Sequence, residues 1–308
     1  MPRAALPALT RRAFAGTAAA AAAAAPAKDD ISLAAWSLNR SFFVGRKWRN
    51  LDLPRICREE FGINGLELVN QFFENPVMTS LRELRRNGAQ YGVRFVLIMV
   101  DQEGDMAAPG RSERMLAATA HRKWVDIAHY LGCHAVRCNL GGPRKDWNRD
   151  LVARAAESFH DLLAYARGSG LNVLIENHGG ASSDPEVLVA LMKSVNHPAF
   201  GTLPDFGNVN PGDDHAEVLR KLMPYAKGVS VKASWAADGT HPRYDLGKLI
   251  GIAREAGYHG FWGIESSFGR AGSRAGEEKL TPDQIWRNEL KGVQLTKAVL
   301  ERILTEKG

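Results

Sequence analysis

Short apolar runs alternate along the chain with longer segments in which apolar residues recur at helical spacing. Glycine, proline or polar residues bound each run, which is typical of strands buried in a parallel sheet. The strand-like runs cover residues 31–37, 65–70, 93–100, 134–140, 172–178, 200–207, 228–234 and 260–266. The helix-like segments cover residues 53–61, 77–91, 112–131, 151–168, 185–196, 216–226, 246–256 and 282–304. The pattern therefore predicts eight strand–helix units.

Eight such units predict an α/β fold made of a single (β/α)8 TIM barrel. Spread over residues 28–308, they take about 35 residues each, which is the usual size for this fold. An open doubly wound sheet would usually carry a glycine-rich phosphate turn after its first strand. The sequence there is Ala-Trp-Ser-Leu-Asn at 35–39, which has no glycine. No linker or change in composition indicates a second domain.

Residues 1–27 stand apart from this pattern. An arginine pair at 11–12 precedes an alanine-rich stretch at 18–25, and small residues follow it. This order of charge, apolar stretch and cleavage site predicts a twin-arginine export signal. We therefore expect residues 28–308 to form the mature chain in the periplasm or another extracytoplasmic space. The stretch is too short and too weakly apolar to span a bilayer, so no stable membrane anchor is expected.

Charge and cysteine content narrow the classes of partner. The formal net charge is +6, and it is +3 without residues 1–27, which hold three arginines and no acid. An excess this small, with no basic stripe, gives no indication of a nucleic-acid partner. The three cysteines form no C-x-x-C pair, and a chain of this length can bury a core without disulfides. We expect buried free thiols at Cys57, Cys133 and Cys138.

Three acidic residues stand at the ends of apolar strand-like runs, where packing alone does not call for a carboxylate. They are Glu176, Asp205 and Glu265. In a barrel, the carboxyl ends of all strands open onto one mouth, so these side chains are expected to meet there. Carboxylates confined together repel one another unless a cation neutralises them. The spacing therefore predicts a divalent metal site, and the alternative is a metal-free network with neighbouring basic residues.

Other polar and aromatic residues at the predicted strand ends are candidates for the rest of the site. Lys232 is a candidate for acid–base chemistry or for binding a substrate oxygen. The candidates for substrate binding are His178, Arg137, Asn70, Glu103 and Trp36. Oxygen ligands suit Mn²⁺, Mg²⁺ or Co²⁺, and an added imidazole would favour Mn²⁺, Co²⁺ or Zn²⁺.

Three segments carry a resemblance to a known family. They are Leu-Pro-Asp-Phe-Gly-Asn at 203–208, Pro-Tyr-Ala-Lys-Gly-Val-Ser-Val-Lys at 224–232 and Ala-Gly-Tyr-His-Gly-Phe-Trp-Gly-Ile-Glu at 256–265. With the order of the three acids, they make residues 28–308 resemble the xylose isomerase-like TIM barrels, a superfamily of sugar isomerases and epimerases. The resemblance implies a metal held by Glu, Asp, His and Glu from strands 5, 6, 7 and 8. Glu176, Asp205 and Glu265 match the first, second and fourth of these ligands.

The sequence departs from the family pattern at two positions. Ser230 stands where many members have the histidine of strand 7, although Lys232 two residues later is retained. Asn208 stands where many members have another histidine. Three interpretations remain open: His178 or His241 supplies a ligand, water completes the metal's coordination, or no metal binds.

The resemblance also implies a function. It assigns Glu176 and Glu265 as an acid–base pair as well as metal ligands. To these we add Lys232 as a third candidate catalytic group. The implied activity is a metal-dependent sugar isomerase or epimerase that forms an enediolate. Export favours an unphosphorylated sugar or keto-sugar as substrate. The alternatives are a keto-sugar (3-keto-glycoside) lyase or hydratase using the same enediolate, and a non-catalytic sugar-binding protein. Many family members form homo-oligomers through barrel helices, but no apolar stripe here requires it.

Overall fold

A computed structural model of the protein describes residues 29–141, 149–269 and 280–305. The predicted export signal at 1–27 lies outside this range. The eight strands are β1 Asp30–Ala34, β2 Gly65–Val69, β3 Arg94–Val100, β4 Ala135–Cys138, β5 Asn172–Glu176, β6 Phe200–Leu203, β7 Val229–Trp235 and β8 Phe261–Phe268. Each strand begins within two residues of the first residue of a predicted strand. Several end earlier than predicted, because the last polar residues of the runs belong to the loops.

The described helices lie between the strands and after the last one. They are α1 Asn39–Phe43, α2 Leu53–Glu59, α3 Met78–Tyr91, α4 Arg111–Leu131, α5 Arg149–Ala166, α6 Pro185–Val195, α7 His215–Leu222, α8 Leu246–Glu255 and α9 Pro282–Thr305. The side chains of Asp184 and Asp214 accept hydrogen bonds from the backbone N–H groups of Glu186 and Ala216, so each caps the helix that follows it. In the described residues no helix has the length and apolarity needed to cross a membrane.

The sheet confirms the predicted (β/α)8 TIM barrel. All strand pairs are parallel, and the hydrogen-bonded order is β6-β5-β4-β3-β2-β1-β8-β7. Two isolated parallel bridges lie between β6 and β7: Thr202 of β6 pairs with Ala226 just before β7, and Asp205 just after β6 pairs with Ser230 of β7. The second bridge matters for function because it fixes the loop after β6 against β7, next to the predicted metal site.

Two helical segments differ from the predicted pattern. The predicted helix at 216–226 ends at Leu222 and continues as a 3-10 turn over Met223–Tyr225. Pro224 has no N–H group for a helical hydrogen bond, which explains the earlier end. Helix α1 was not predicted. It has only five residues, so its stability depends on contacts made by the folded protein rather than on its own sequence.

The hydrophobic core fills the barrel and the space between the strands and the surrounding helices. Six of the seven residues of β3 are buried, as expected for a strand with apolar surroundings on both faces. The three cysteines are buried and free, which confirms that prediction. Against this apolar background, buried charged side chains collect at the carboxyl ends of the strands.

Candidate active site

Glu176, Asp205 and Glu265 meet at the carboxyl ends of β5, β6 and β8. Each offers a carboxylate oxygen, and these three oxygens lie within 4.8 Å of one another. The three residues, called the acidic cluster below, are 1%, 2% and 7% exposed. Glu176 ends β5, Asp205 lies two residues beyond β6, and Glu265 lies within β8. The sequence-based expectation that these side chains converge is thus met by the geometry.

The turn after β6 holds the Asp205 carboxylate in one orientation. Its Oδ1 accepts hydrogen bonds from the backbone N–H groups of Gly207 and Asn208, at 2.8 and 2.7 Å. Its Oδ2 accepts a hydrogen bond of 2.8 Å from the hydroxyl of Ser230. The backbone of Asp205 is in turn tied to the side chain of Asn177, which accepts from its N–H and donates to its C=O. These hydrogen bonds therefore pre-organise the loop before any ligand binds.

Arg137 crosses from β4 toward the acidic cluster and links two carboxylates. Its Nη1 donates to Asp101 Oδ1 at 2.6 Å, and Asn139 donates to the same oxygen at 2.7 Å. Its Nε lies 2.8 Å from Glu176 Oε2, an ion pair without the angle of a hydrogen bond. The other oxygen of Glu176 accepts 2.9 Å from the amide of Asn208. Arg137 is 3% exposed, so its charge is compensated almost wholly by the protein.

Lys232 supplies a second cation on the opposite flank of the cluster. Its Nζ lies 2.5 Å from Glu265 Oε1 and 3.5 Å from Asp205 Oδ2. The lysine side chain is 24% exposed, so it remains accessible from the mouth. Two basic side chains thus face the three acids of the cluster, and the cluster keeps an excess of negative charge that suits a divalent cation.

The buried charges shift one another's proton affinities. Burial raises the pKa of Glu176, and Arg137 only partly offsets that rise. Burial also raises the pKa of Glu265, against the opposing charge of Lys232. For Lys232, burial would lower the pKa, but the charges of Asp205 and Glu265 outweigh it and raise the pKa. Both glutamates are therefore able to hold a proton more readily than ordinary glutamates, while the lysine stays charged.

The two histidines considered as replacement ligands do not join the acidic cluster. His241 packs between Trp235 and Tyr244, with Nδ1 3.0 Å from the Tyr244 C=O. His178 lies two residues after Glu176 and is exposed as a whole residue, although protein atoms surround part of its ring. Packing around its ring lowers the pKa of His178, and the charge of Arg137 lowers it further. The place of the family's strand 7 histidine is thus taken only by the Ser230 hydroxyl.

The remaining side chains predicted to bind the substrate differ in how far contacts within the protein already occupy them. The side-chain amide of Asn70 binds the backbone of Asp101: it donates to the C=O at 2.8 Å and accepts from the N–H at 3.0 Å. Glu103 accepts hydrogen bonds from Lys123 and Trp124 of α4 and makes no bond to the cluster. Trp36 is half-buried and stacks on the ring of Phe72. Their roles in substrate binding stay predictions.

Four further polar residues contribute to the site, although their importance could not be ranked from the amino-acid sequence. Asp101, Asn177 and Asn208 lie at strand ends, which was a usable signal, but their hydrogen bonds to Arg137 and to the cluster come from the tertiary structure. Glu67 lies deeper in the barrel, 1% exposed, and accepts 2.6 Å from the Ser32 hydroxyl. The sequence of β2 alone could not show that the Glu67 carboxylate lies against Gly263 of β8.

Comparison with known proteins agrees with this geometry. The family model described as xylose isomerase-like TIM barrel matches residues 58–293. Comparison with curated protein sequences gives no match. Because the family model covers well over half of the chain, it assigns the family, while the reaction depends on the site.

Solved structures share the fold at low sequence identity. The D-allulose 3-epimerase from Methylomonas sp. is 14% identical, with 91% of this chain and 99% of that one covered and a TM-score of 0.68. The 3-keto-D-glucoside 4-epimerase from E. coli is 15% identical, with 84% and 98% covered and a TM-score of 0.62. The probable 3-DHS dehydratase from Bacillus anthracis is 16% identical, with 85% and 97% covered and a TM-score of 0.61. Other structures with this fold contain a bound zinc atom or magnesium.

Proposed function

Because the chain belongs to the xylose isomerase-like TIM barrel family, we propose that it is a metal-dependent sugar isomerase or epimerase. The substrate we propose is an unphosphorylated sugar or keto-sugar. The observation that carries the proposal is the acidic cluster, whose three oxygens lie within 4.8 Å of one another in a buried mouth. The relatives described as a D-allulose 3-epimerase and a 3-keto-D-glucoside 4-epimerase support a sugar as substrate.

The residues of the cluster fit a divalent ion. Glu176, Asp205 and Glu265 would hold it, and the group nearest to the family's missing imidazole is the hydroxyl of Ser230. A donor set made only of oxygens favours Mg²⁺ or Mn²⁺ over Zn²⁺. When bound, such an ion would stabilise negative charge that develops on two adjacent sugar oxygens.

Glu176 and Glu265 are the proposed acid–base pair. A base removes the proton from the carbon beside the sugar carbonyl, which yields an enediolate of the sugar. The two glutamates stand on β5 and β8, with β6 and β7 between them, so they approach the cluster from different directions. Burial raises the pKa of both glutamates, so each carboxylate accepts a proton more readily than an ordinary glutamate does. Return to the other face gives an epimer, and return to the neighbouring carbon gives an isomer.

Lys232 is the proposed third catalytic group. Its ammonium lies 2.5 Å from Glu265 and is partly exposed to the mouth, so it can donate to a sugar oxygen without leaving its ion pair. Arg137, which is buried behind Glu176, is better placed to orient that carboxylate than to contact a sugar. The predicted export of the chain supports a substrate without phosphate, because sugar phosphates are scarce outside the cytoplasm. Because of the same predicted export signal, we propose that the protein is periplasmic.

The direct test is the metal content of the purified chain, compared with the variants Glu176→Gln and Asp205→Asn. We expect one tightly bound divalent ion in the parent and its loss in both variants. Glu217→Gln, on the exposed face of α7, is the matched control and should keep the ion. The companion assay follows exchange of carbon-bound hydrogen in D₂O with unphosphorylated keto-sugars. A parent that binds none of Mn²⁺, Co²⁺, Mg²⁺ or Zn²⁺ would contradict the proposal.

A keto-sugar lyase or hydratase is the second candidate. It uses the same enediolate but expels a group from the next carbon, and Lys232 is placed to protonate that group. The relative described as a probable dehydratase favours this candidate. Mass spectrometry of the product separates the two, because an isomer keeps the substrate's mass and elimination of water lowers it. Tight sugar binding without any hydrogen exchange would instead indicate a non-catalytic sugar-binding protein.

A further inference from the structure

The segments that follow β1 and β2 carry most of the large apolar side chains that are exposed in the described residues. Among the described residues, six large hydrophobic side chains are exposed, and four of them lie in the loops after β1 and β2 or at the start of α3. These four are Phe43, Val44, Val77 and Met78, which are 46%, 64%, 47% and 48% exposed. Both loops leave the carboxyl ends of their strands, so the apolar surface faces the same end of the barrel as the acidic cluster.

The rings of Trp36, Phe43 and Phe72 contact one another and form what we call the aromatic rim. Trp36 and Phe72 are stacked, with centroids 5.9 Å apart and planes at 10°. Phe43 meets Trp36 edge-on at 6.3 Å and Phe72 at 5.4 Å. Phe72 is buried beneath the other two, while Phe43 and part of Trp36 remain open to solvent. The rim is thus a supported ring surface rather than isolated exposed side chains.

The backbone connects the aromatic rim directly to Glu265. Strands β1 and β8 are neighbours, with Leu33 paired to Ile264. Ser37, the residue after Trp36, accepts a hydrogen bond from the N–H of Ser266 and donates one to the C=O of Ile264, at 2.9 and 3.0 Å. These two bonds lie on either side of Glu265, so the residue next to Trp36 is fixed against the two residues that flank an acid of the cluster.

Helix α9 anchors the segment that carries Phe43. Glu289 of α9 is 6% exposed, and its carboxylate accepts hydrogen bonds from the backbone N–H groups of Arg40 and Ser41, the nearest at 2.8 Å. Phe42 packs on Trp48 with ring centroids 4.9 Å apart. These contacts hold α1 against the barrel and explain why a five-residue helix forms. A ring surface that is fixed before a ligand arrives loses little entropy on binding.

We propose that the aromatic rim binds an apolar substituent of the substrate, so that the substrate is an aryl or alkyl glycoside rather than a free sugar. The sugar ring would lie over the acidic cluster, and the aglycone would cover Phe43 and the open face of Trp36. The chemistry favours this occupant, since a free sugar presents hydroxyl groups along its whole edge and would leave Phe43 and Val44 in water. The inference rests on the proposed function, and it names the substrate class of the same site.

The test compares two probes that differ only in the aglycone: phenyl and methyl 3-keto-β-D-glucopyranoside. Their binding to the mature chain, supplied with Mn²⁺, is measured by calorimetry. We expect the wild-type chain to prefer the phenyl glycoside on the order of tenfold, the strength usual for one aromatic contact. Phe43→Ser should abolish most of this preference and Phe43→Tyr should retain it. Leu116→Ser, at an exposed apolar position of α4 that is 70% exposed, should leave the preference unchanged.

Three results would overturn the proposal: no phenyl preference in the wild type, binding of neither glycoside, or a preference that survives Phe43→Ser. Circular dichroism of that variant confirms that it is folded, as expected for a change at a surface position. Sedimentation gives a fourth decisive result, because a dimer that dissociates on Phe43→Ser would make the rim a contact between two copies. Hydrogen exchange with the methyl probe reports on the proposed chemistry separately. A phenyl preference without exchange supports the rim and contradicts the isomerase function.

Discussion

Glu67 offers a quantitative test of how the barrel interior treats a charge. Its side chain lies on β2, 1% exposed, and only one of its oxygens has a partner, the hydroxyl of Ser32 at 2.6 Å. Burial raises the pKa of Glu67 from 4.5 to about 7, although the Ser32 hydrogen bond opposes the rise. The folded state therefore binds the proton more tightly than the unfolded state does.

The sign of the pH dependence follows from this difference. The stabilisation that Glu67 gives as a neutral acid is fully present below about pH 4.5 and is lost as the pH rises through about 7. Each pKa unit corresponds to about 1.4 kcal/mol, so the whole window is worth about 3 kcal/mol in the free energy of unfolding. Between pH 5 and pH 8 the expected loss is about 2.5 kcal/mol.

The perturbation is Glu67→Gln, which keeps the shape of the side chain and cannot ionise. Urea unfolding of the chelator-treated chain, at pH 5, 6, 7 and 8, gives the free energy of unfolding of both proteins. We expect the variant to gain about 2.5 kcal/mol relative to the wild type between pH 5 and pH 8. Glu60→Gln, at an exposed position after α2, should show no such change with pH. A constant difference between Glu67→Gln and wild type at all four pH values would refute the reasoning.

Three further outcomes are expected. Gly263→Ala would place a β-carbon 2.3 Å from an oxygen of Glu67, so it should lower the free energy of unfolding by about 2–3 kcal/mol. Gly251→Ala, which has open space around the new β-carbon, should not lower it. Chemical denaturation distinguishes the two variants. Arg137→Met should cost about 3–5 kcal/mol by the same assay, because it leaves two buried carboxylates without their cation, and a loss below 1 kcal/mol would contradict the ion-pair assignment. Burial raises the pKa of all three thiols, so a thiol reagent should label them only after unfolding, and rapid labelling of the native chain would be inconsistent with the core. The thiols concerned are those of Cys57, Cys133 and Cys138.

The alternation of apolar runs and helical patterns determined the fold class. Eight strand-like runs, each separated from the next by a helix-like segment, are compatible with few architectures, since a parallel strand needs a crossover before the next one. The same pattern located Glu176, Asp205 and Glu265, because a carboxylate that ends a buried strand has no packing role. The helix caps Asp184 and Asp214 were also predictable, because a cap depends only on its nearest neighbours in sequence.

Only the tertiary structure decided how the site is completed. The sequence left His178, His241 and water as alternatives for the missing ligand, and the fold leaves both histidines outside the cluster while Ser230 bonds to Asp205. The sequence pattern likewise did not indicate helix α1, the aromatic rim to which it contributes Phe43, or the hydrogen bonds of Glu289 to the backbone of Arg40 and Ser41. The contact of Glu289 with Arg40 joins residues 249 positions apart in sequence, and the rim joins residues that follow two different strands. Local propensity and periodicity report on a few turns of chain, whereas such contacts exist only once the barrel has closed.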